Sequence, residues 1–203
     1  AQSNATDYKA LGSFAVETRL ENWTDPARER TLPVKLYLPT GAPAGPVVIF
    51  SHGLGGSRES AAYLGTHWAS HGIVGVFIQH PGTDKSVWSH LKDATVFKKI
   101  RIIRALAQAA KDKQAAISRF TDIPFIVNKL QTLITAGALK GDPARIGMAG
   151  HSYGARSTLT ALGRGYVVEG NKQTMAEPRI VAGLALSPEP VTETDQDTLN
   201  MIY

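Results

Sequence analysis

A serine between glycines, in the stretch GHSYG at residues 150–154, carries the strongest chemical signal in this chain. It follows a short apolar run at residues 145–149 and precedes a segment that can form a helix, which predicts a strand, a tight turn and a helix. Glycines at both ends of a G-x-S-x-G pentapeptide let the backbone turn sharply, so the hydroxyl of Ser152 is expected to stand exposed above a sheet. Such a turn is called a nucleophile elbow, and it predicts that Ser152 is a nucleophile for acyl transfer.

A second segment predicts the other half of such a site. Residues 46–51 (PVVIFS) are typical of a buried strand, and they lead directly into the glycine-rich turn HGLGG at residues 52–56. Backbone N–H groups of a turn like this can stabilise the negative charge that develops on a carbonyl oxygen during acyl transfer. The two segments together favour an enzyme over an ordinary serine in a glycine turn.

The base that such a serine needs is missing from the sequence. An acyl-transfer serine usually works with a histidine and a carboxylate, and behind a G-x-S-x-G turn these follow in the order acid, then histidine. No histidine occurs after His151, and the chain ends at Tyr203, shortly after the apolar run at residues 180–186. We therefore expect this chain to be an amino-terminal portion, with a carboxyl-terminal remainder of the same protein as its partner.

Composition limits the classes of protein that the chain can belong to. With 43% hydrophobic and 19% charged residues, residues 1–203 are expected to form a single domain. The net charge of +5 is spread along the chain except at residues 98–104 (KKIRIIR), which we interpret as a solvated helix face rather than a patch for membranes or polyanions. No motif for nucleic acid is present. The absence of cysteine excludes disulfides and a cysteine nucleophile.

Location follows from the apolar runs and from the first residues. No run approaches the roughly 18 apolar residues of a membrane span, so we expect no membrane span. The start AQSN, without Met, is typical of a chain from which a signal has been removed. We expect the periplasm or the medium, with the cytoplasm as the alternative.

Alternating strand and helix patterns predict a layered α/β unit with a mostly parallel sheet. An antiparallel pair of strands is expected first, at residues 14–20 and 32–38. Asp122 is predicted to cap a helix that Gly137 ends. The remaining predicted elements are a helix at 59–70, a strand at 73–78, helices at 95–120 and 122–136, and a strand at 179–186.

The two glycine turns resemble those of the α/β-hydrolase superfamily, and most closely its platelet-activating-factor acetylhydrolase and dienelactone-hydrolase-like branch, to which polyester hydrolases are related. The segment QHPGTD at residues 79–84 resembles this branch as well. The resemblance implies a three-layer α/β-hydrolase fold with a mostly parallel sheet, whose carboxyl-terminal strands are expected to be missing from this chain. It also implies an acyl-enzyme mechanism with Ser152 as nucleophile, the N–H groups of Leu54 and Tyr153 as oxyanion hole, and no metal or organic cofactor.

The triad acid has two candidate positions. In the acetylhydrolases an Asp comes just past the strand that follows the elbow helix, and there this chain has Ser187, with Glu189 two residues on. In related polyester hydrolases and dienelactone-like enzymes the Asp comes one strand later, which would place it beyond Tyr203. We favour the second position.

Other polar and aromatic residues have less specific expected roles. Family strand order puts the strand before His80 two positions from the elbow strand, about 9.6 Å away, whereas proton transfer needs about 3 Å. His80 is therefore expected at the rim of the substrate pocket, and Trp88 and the Tyr153 ring in its wall. His52 and His151 are expected to make supporting hydrogen bonds. The pair His67 and His71 lacks the glutamate of a zinc-binding helix, so no metal site is predicted.

These inferences lead us to expect a serine esterase of short-acyl or small soluble esters. A polyester hydrolase and a non-catalytic binding protein of the same fold are the alternatives. The helical region at residues 95–136 is expected to roof the pocket and so to exclude polymers. Without a histidine base, residues 1–203 alone are expected to be nearly inactive.

Overall fold

The computed structural model describes residues 9–91, 96–168 and 171–188. Eight strands and five helices follow one another in these ranges. The strands are β1 (Ala15–Asp25), β2 (Arg30–Thr40), β3 (Gly45–Ser51), β4 (Val74–Ile78), β5 (Gly141–His151), β6 (Tyr166–Val168), β7 (Asn171–Gln173) and β8 (Ile180–Leu186). The helices are α1 (Ala62–Ser70), α2 (Ser86–Ser89), α3 (Val96–Lys111), α4 (Lys113–Thr135) and α5 (Tyr153–Ala161).

Six of the strands form one sheet in the order β1-β2-β4-β3-β5-β8, and β6 and β7 form a separate two-stranded sheet. Within the large sheet, β4, β3, β5 and β8 pair in parallel, whereas β2 runs antiparallel to both of its neighbours. Parallel neighbours need long crossover connections, which α1 supplies between β3 and β4 and α5 between β5 and β8. The predicted α/β fold with a mostly parallel sheet is confirmed.

Helices cover both faces of this sheet and make the three predicted layers. On one face, α4 contributes Ile123, Ile126 and Leu130 to the larger core, together with apolar side chains of β2, β3, β4 and β5. On the other face, α1 packs against a smaller aromatic core that contains Phe50 and Phe77. Strands buried on both faces are rich in Val and Ile, and β4 is buried at all five positions.

The strand order brings the two glycine turns together. Because β3 and β5 are parallel neighbours, with Ser51 opposite Gly150, the turns that follow them leave the same edge of the sheet side by side. β4 lies two positions from β5, as expected.

The helical region between β4 and β5 is divided differently from the prediction. The break falls at Asp112, whose carboxylate accepts a hydrogen bond of 2.9 Å from the N–H of Ala115 and so caps α4. Asp122, the predicted cap, lies inside α4 with no exposed surface, so that expectation is wrong. Gly137, with a φ of 71°, follows the end of α4, as predicted.

One face of α3 is open to solvent. Lys99 and Arg104 are exposed there, as expected for a solvated helix face, and so are Ile100 (45%) and Ile103 (64%). No helix in the described ranges is long and apolar enough to cross a bilayer.

Candidate active site

Ser152 stands at a strained turn between β5 and α5. Its φ of 53° and ψ of −117° lie outside the regions that residues with a side chain ordinarily adopt, and its N–H donates a hydrogen bond of 2.9 Å to the carbonyl of Leu186. A Cβ at Gly150 would overlap the carbonyl oxygen of Gly154, and a Cβ at Gly154 would overlap the carbonyl oxygen of Ser51. Only glycines fit on both sides of Ser152, which is the physical reason for the G-x-S-x-G spacing.

The glycine turn after β3 is fixed by its own backbone hydrogen bonds. The N–H of Gly56 donates to the carbonyl of Gly53 at 3.0 Å, and the N–H of Gly55, where φ is 74°, donates to the carbonyl of Thr83 at 2.8 Å. The N–H of Leu54 takes part in neither bond. The turn is therefore held on both sides of Leu54, and no described residue accepts a hydrogen bond from the N–H of Leu54.

Both turns line one cleft of ≈ 460 Å³. A Cβ placed on Gly53 would lie 3.5 Å from the Cβ of Ser152, so the two turns are in direct contact. The rest of the lining is mostly apolar and includes Phe50, Leu64 and Leu186. The Ser152 hydroxyl thus lies in an apolar cleft beside a turn that can offer N–H groups.

Trp88 lies behind the 53–56 turn rather than in the cleft. Its indole Nε1 donates a hydrogen bond of 2.8 Å to the carbonyl of Gly55, and the ring packs against the backbone of that glycine. It does not line the cleft that contains Ser152, so the expectation of a pocket wall is corrected to a support of the turn.

His80 is also displaced from its expected position. Its side chain has no exposed surface and lies beneath the glycine turn, where Nε2 is 3.0 Å from Ser51 Oγ and Nδ1 is 2.8 Å from Asp122 Oδ2. The rim position was wrong because α4 covers this edge of the sheet and seals His80 from solvent.

The side chain of Tyr153 points away from the cleft as well. It is buried against Ala116 and Phe120 of α4, and its ring centroid is 5.2 Å from the guanidinium carbon of Arg119. Its backbone N–H remains at the first turn of α5, where the helix itself offers no acceptor and the helix dipole favours negative charge.

None of the six histidines, all of which lie in the described ranges, hydrogen-bonds to Ser152 Oγ. His52 uses both ring nitrogens within its own neighbourhood, as a supporting residue: Nδ1 is 2.6 Å from the carbonyl of Gly53, and Nε2 accepts from the N–H of His80 at 3.1 Å. His151 is exposed and lines the cleft beside Ser152 without a hydrogen bond to it. Glu189, one of the two candidate positions for the acid, lies outside the described residues.

In the part of the chain that the structure describes, helices α3 and α4 do not roof the cleft. None of their described residues lines it, and Leu106 of α3 packs instead against the outer side of Gly55. The expectation of a helical lid is therefore corrected: α3 backs the 53–56 turn.

A buried polar network that the sequence analysis missed lies under the 53–56 turn. Asp122 accepts hydrogen bonds from Arg30 at 2.7 and 3.0 Å and from Arg28 at 3.0 Å, in addition to its contact with His80. Burial raises the pKa of Asp122, but the hydrogen bonds from His80 and Arg30 outweigh it and hold that pKa below its ordinary value.

Ser51, His80 and Asp122 form a chain of hydrogen bonds like that of a catalytic triad, yet nothing can reach it. Ser51 and His80 have no exposed surface, and Ser51 Oγ also accepts a hydrogen bond of 2.8 Å from Arg119. Because a nucleophile must meet its substrate, this arrangement is structural.

The burial of His52 and His80 makes stability depend on pH. Complete burial and the charge of Arg119 lower the pKa of His80 to about 4, against the opposing effect of Asp122. Burial, Arg119 and His80 likewise hold the pKa of His52 well below 6.5. Both side chains are neutral in the folded protein at neutral pH.

We therefore expect the free energy of unfolding to fall as the pH is lowered from 6.5 towards 4. In this window the unfolded histidines bind protons that the folded ones do not, so each histidine adds a slope of up to about 1.4 kcal/mol per pH unit. Urea unfolding at several pH values measures this slope. His80→Gln should reduce it relative to His90→Gln, the matched control at an exposed position; equal slopes in the two variants would contradict the account.

In the described ranges, no group of three or more His, Cys, Asp or Glu side chains is arranged to hold a metal ion.

The family model for platelet-activating factor acetylhydrolase, isoform II, matches residues 5–119, more than half of the chain. The chain belongs to this family. The match includes the 53–56 turn and stops before the Ser152 turn. The structure is consistent with this membership, since the matched acetylhydrolase segment supplies β1 to β4 and the turn that faces Ser152.

Similar proteins extend the comparison. Platelet-activating factor acetylhydrolase of Cavia porcellus is 26% identical over 164 residues, which are 70% of this chain and 35% of that protein. The one of Canis lupus familiaris is 27% identical over 172 residues, 73% of this chain and 36% of that protein. The chain thus spans about a third of the length of these curated relatives. Among solved structures, a dienelactone hydrolase-like promiscuous phosphotriesterase from metagenomic libraries has a TM-score of 0.48 at 17% identity, over 71% of this chain and 53% of its own.

Proposed function

We propose that the protein is a serine hydrolase of carboxylic esters that works through an acyl-enzyme on Ser152. The observation that carries this proposal is the contact between the Ser152 turn and the 53–56 turn at the floor of one apolar cleft. Membership in the acetylhydrolase family supports an ester as the substrate.

In the first step, Ser152 Oγ attacks the ester carbonyl carbon and transfers its proton to a general base. The carbonyl oxygen becomes an oxyanion, which the N–H groups of Leu54 and Tyr153 stabilise. The tetrahedral intermediate then collapses, the alcohol leaves with a proton, and the acyl group stays on Ser152. Water attacks the acyl-enzyme in the same way and releases the acid.

None of the six histidines hydrogen-bonds to Ser152 Oγ, so we do not assign the base of this scheme to any of them. We propose that it comes from outside the described residues. Without it, oxyanion stabilisation and binding alone would leave a residual catalysis of roughly 10³- to 10⁴-fold over water.

Short acyl groups are the proposed substrate class. The cleft volume of ≈ 460 Å³ and its apolar lining support a small acyl chain, and the relatives are named acetylhydrolases. A second candidate is a polyester, because no described residue of α3 lines the cleft and Tyr63 at its edge is 73% exposed, available to stack on an aromatic ring.

Two assays distinguish the candidates: the dependence of ester hydrolysis on acyl-chain length, and the hydrolysis of a polyester film. On the full-length protein, we expect kcat/KM for p-nitrophenyl acetate and butyrate to exceed that for the palmitate by at least about 10-fold, since a chain too long for the cleft loses binding energy in the transition state. Release of soluble products from an aromatic polyester film at a comparable rate would favour the polyester hydrolase. A Ser152→Ala variant, run in parallel, gives the background rate of both assays.

A further inference from the structure

Arg119 is the largest side chain in the described core without exposed surface, and its guanidinium contacts three segments of the chain. Nη2 donates to Ser51 Oγ at 2.8 Å and to the carbonyl oxygen of His52. Nη1 donates to Thr83 Oγ1 at 3.0 Å, and Nε donates to Ser157 Oγ at 2.9 Å. One cation on α4 thus joins the end of β3, the loop after β4 and the helix that begins behind Ser152.

Each of these contacts lies next to a group of the proposed oxyanion hole. The carbonyl of His52 is two residues before the N–H of Leu54. Thr83 supplies the carbonyl that fixes the N–H of Gly55. Ser157 lies one helical turn after Tyr153 and donates to its carbonyl at 3.3 Å. Both N–H donors of the hole are therefore attached to backbone that Arg119 holds.

Arg119 and Asp122 do not form a direct ion pair; Ser51 and His80 connect them through hydrogen bonds. His80 Nδ1 faces the Asp122 carboxylate and must donate to it, so Nε2 accepts the hydroxyl proton of Ser51. The Ser51 oxygen then accepts from Arg119. Every donor in this chain of hydrogen bonds, from Arg119 to Asp122, has an acceptor, and this fixes the orientation of each side chain.

We propose that Arg119 is a positioning residue that sets the distance between the Leu54 N–H and the Tyr153 N–H of the oxyanion hole. This inference rests on the proposed function. The planar guanidinium offers N–H groups in several fixed directions, which a lysine ammonium on the same helix cannot reproduce. Its buried positive charge also favours negative charge on the nearby oxyanion, because water does not screen it.

Two variants of Arg119 and a matched surface arginine test this role in the full-length protein. We expect Arg119→Met and Arg119→Lys to lower kcat for p-nitrophenyl acetate by about 10²- to 10³-fold, the loss that follows removal of one oxyanion donor. KM should change by no more than about threefold, since the donors act on the transition state rather than on the bound ester. Arg145→Met removes an exposed arginine whose partners among the described residues are Asp142 and the carbonyl of Ala44, and it should leave both constants unchanged.

Backbone hydrogen exchange gives a second readout that does not require activity. In the Arg119 variants, exchange should accelerate in residues 52–56 and 153–157 and stay unchanged in β1 and β2. If Arg119→Met does not fold, Arg119→Lys and Ser157→Ala, which removes one of the four contacts, apply the same test.

The outcomes separate this inference from the proposed function. If the wild-type protein cleaves no ester, the proposed function fails, and the exchange pattern alone decides whether Arg119 holds the two turns. If the folded Arg119 variants keep wild-type kcat, or if their exchange rises uniformly over the chain, Arg119 is not a positioning residue.

Discussion

Replacing Ser152 with alanine should lower kcat for ester hydrolysis by the full-length protein by on the order of 10⁴- to 10⁶-fold. Loss of the nucleophile removes the acyl-enzyme route altogether, and the binding cleft and the oxyanion donors then supply only a small residual acceleration. Initial rates with p-nitrophenyl acetate measure the effect. We expect this effect at Ser152 rather than at other serines, because Ser152, with a φ of 53°, lines the cleft.

Two other serines serve as controls for this variant. Ser89→Ala changes an exposed serine on α2 and should have no effect. Ser51→Ala removes the buried hydroxyl between Arg119 and His80, so it should lower kcat without abolishing activity. If Ser51→Ala abolished activity while Ser152→Ala stayed active, the assignment of Ser152 as the nucleophile would be wrong.

Gly154→Ala should destabilise the fold by about 3 kcal/mol and remove activity with it. The new methyl group would overlap the carbonyl oxygen of Ser51 at the end of β3, and backbone on a central strand cannot move aside as a flexible side chain can. Urea unfolding, followed by the midpoint concentration at constant m-value, measures the loss.

Gly147→Ala is the matched control on β5, the strand that leads into the Ser152 turn, whereas Gly154 lies in the first turn of α5. A Cβ there would lie 3.4 Å from the carbonyl of Ala182, close to ordinary van der Waals contact. This variant should unfold near the wild-type midpoint. Equal losses in the two variants would show that the cost does not come from the overlap at Gly154, and would remove the argument from the geometry of the Ser152 turn.

The two halves of the candidate site could be predicted from the sequence because each depends on local backbone geometry. A buried strand followed by glycines at fixed spacing determines where a turn forms, and the parallel pairing of β3 and β5 then brings the turns together. Ser152 and Leu54 could therefore be identified from the local sequence, without knowledge of contacts between distant segments.

The positions of His80 and Trp88 could not be predicted in the same way. Sequence placed both after β4 and hence at the correct edge of the sheet, but whether a side chain there meets substrate depends on what covers it. α4 covers His80, and Trp88 binds the outer side of the 53–56 turn.

The buried network was missed because its members look like surface residues in the sequence. Arg119 and Asp122 were assigned to the end of one helix and the cap of the next, whereas they lie within one continuous helix. A usable signal did exist: Phe120, Ile123 and Val127 continue a helical apolar pattern through this region, which puts the two charged residues on or beside the buried face. Charged residues on such a face are paired when they are buried.

Covalent labelling tests the central claim most directly. The full-length protein is incubated with a fluorophosphonate, which reacts with activated serines, and the digested product is analysed by mass spectrometry. We expect one phosphonyl adduct, on the hydroxyl of Ser152, and no label in the Ser152→Ala variant. An adduct on Ser51, or undiminished labelling of Ser152→Ala, would contradict the assignment of Ser152 as the nucleophile.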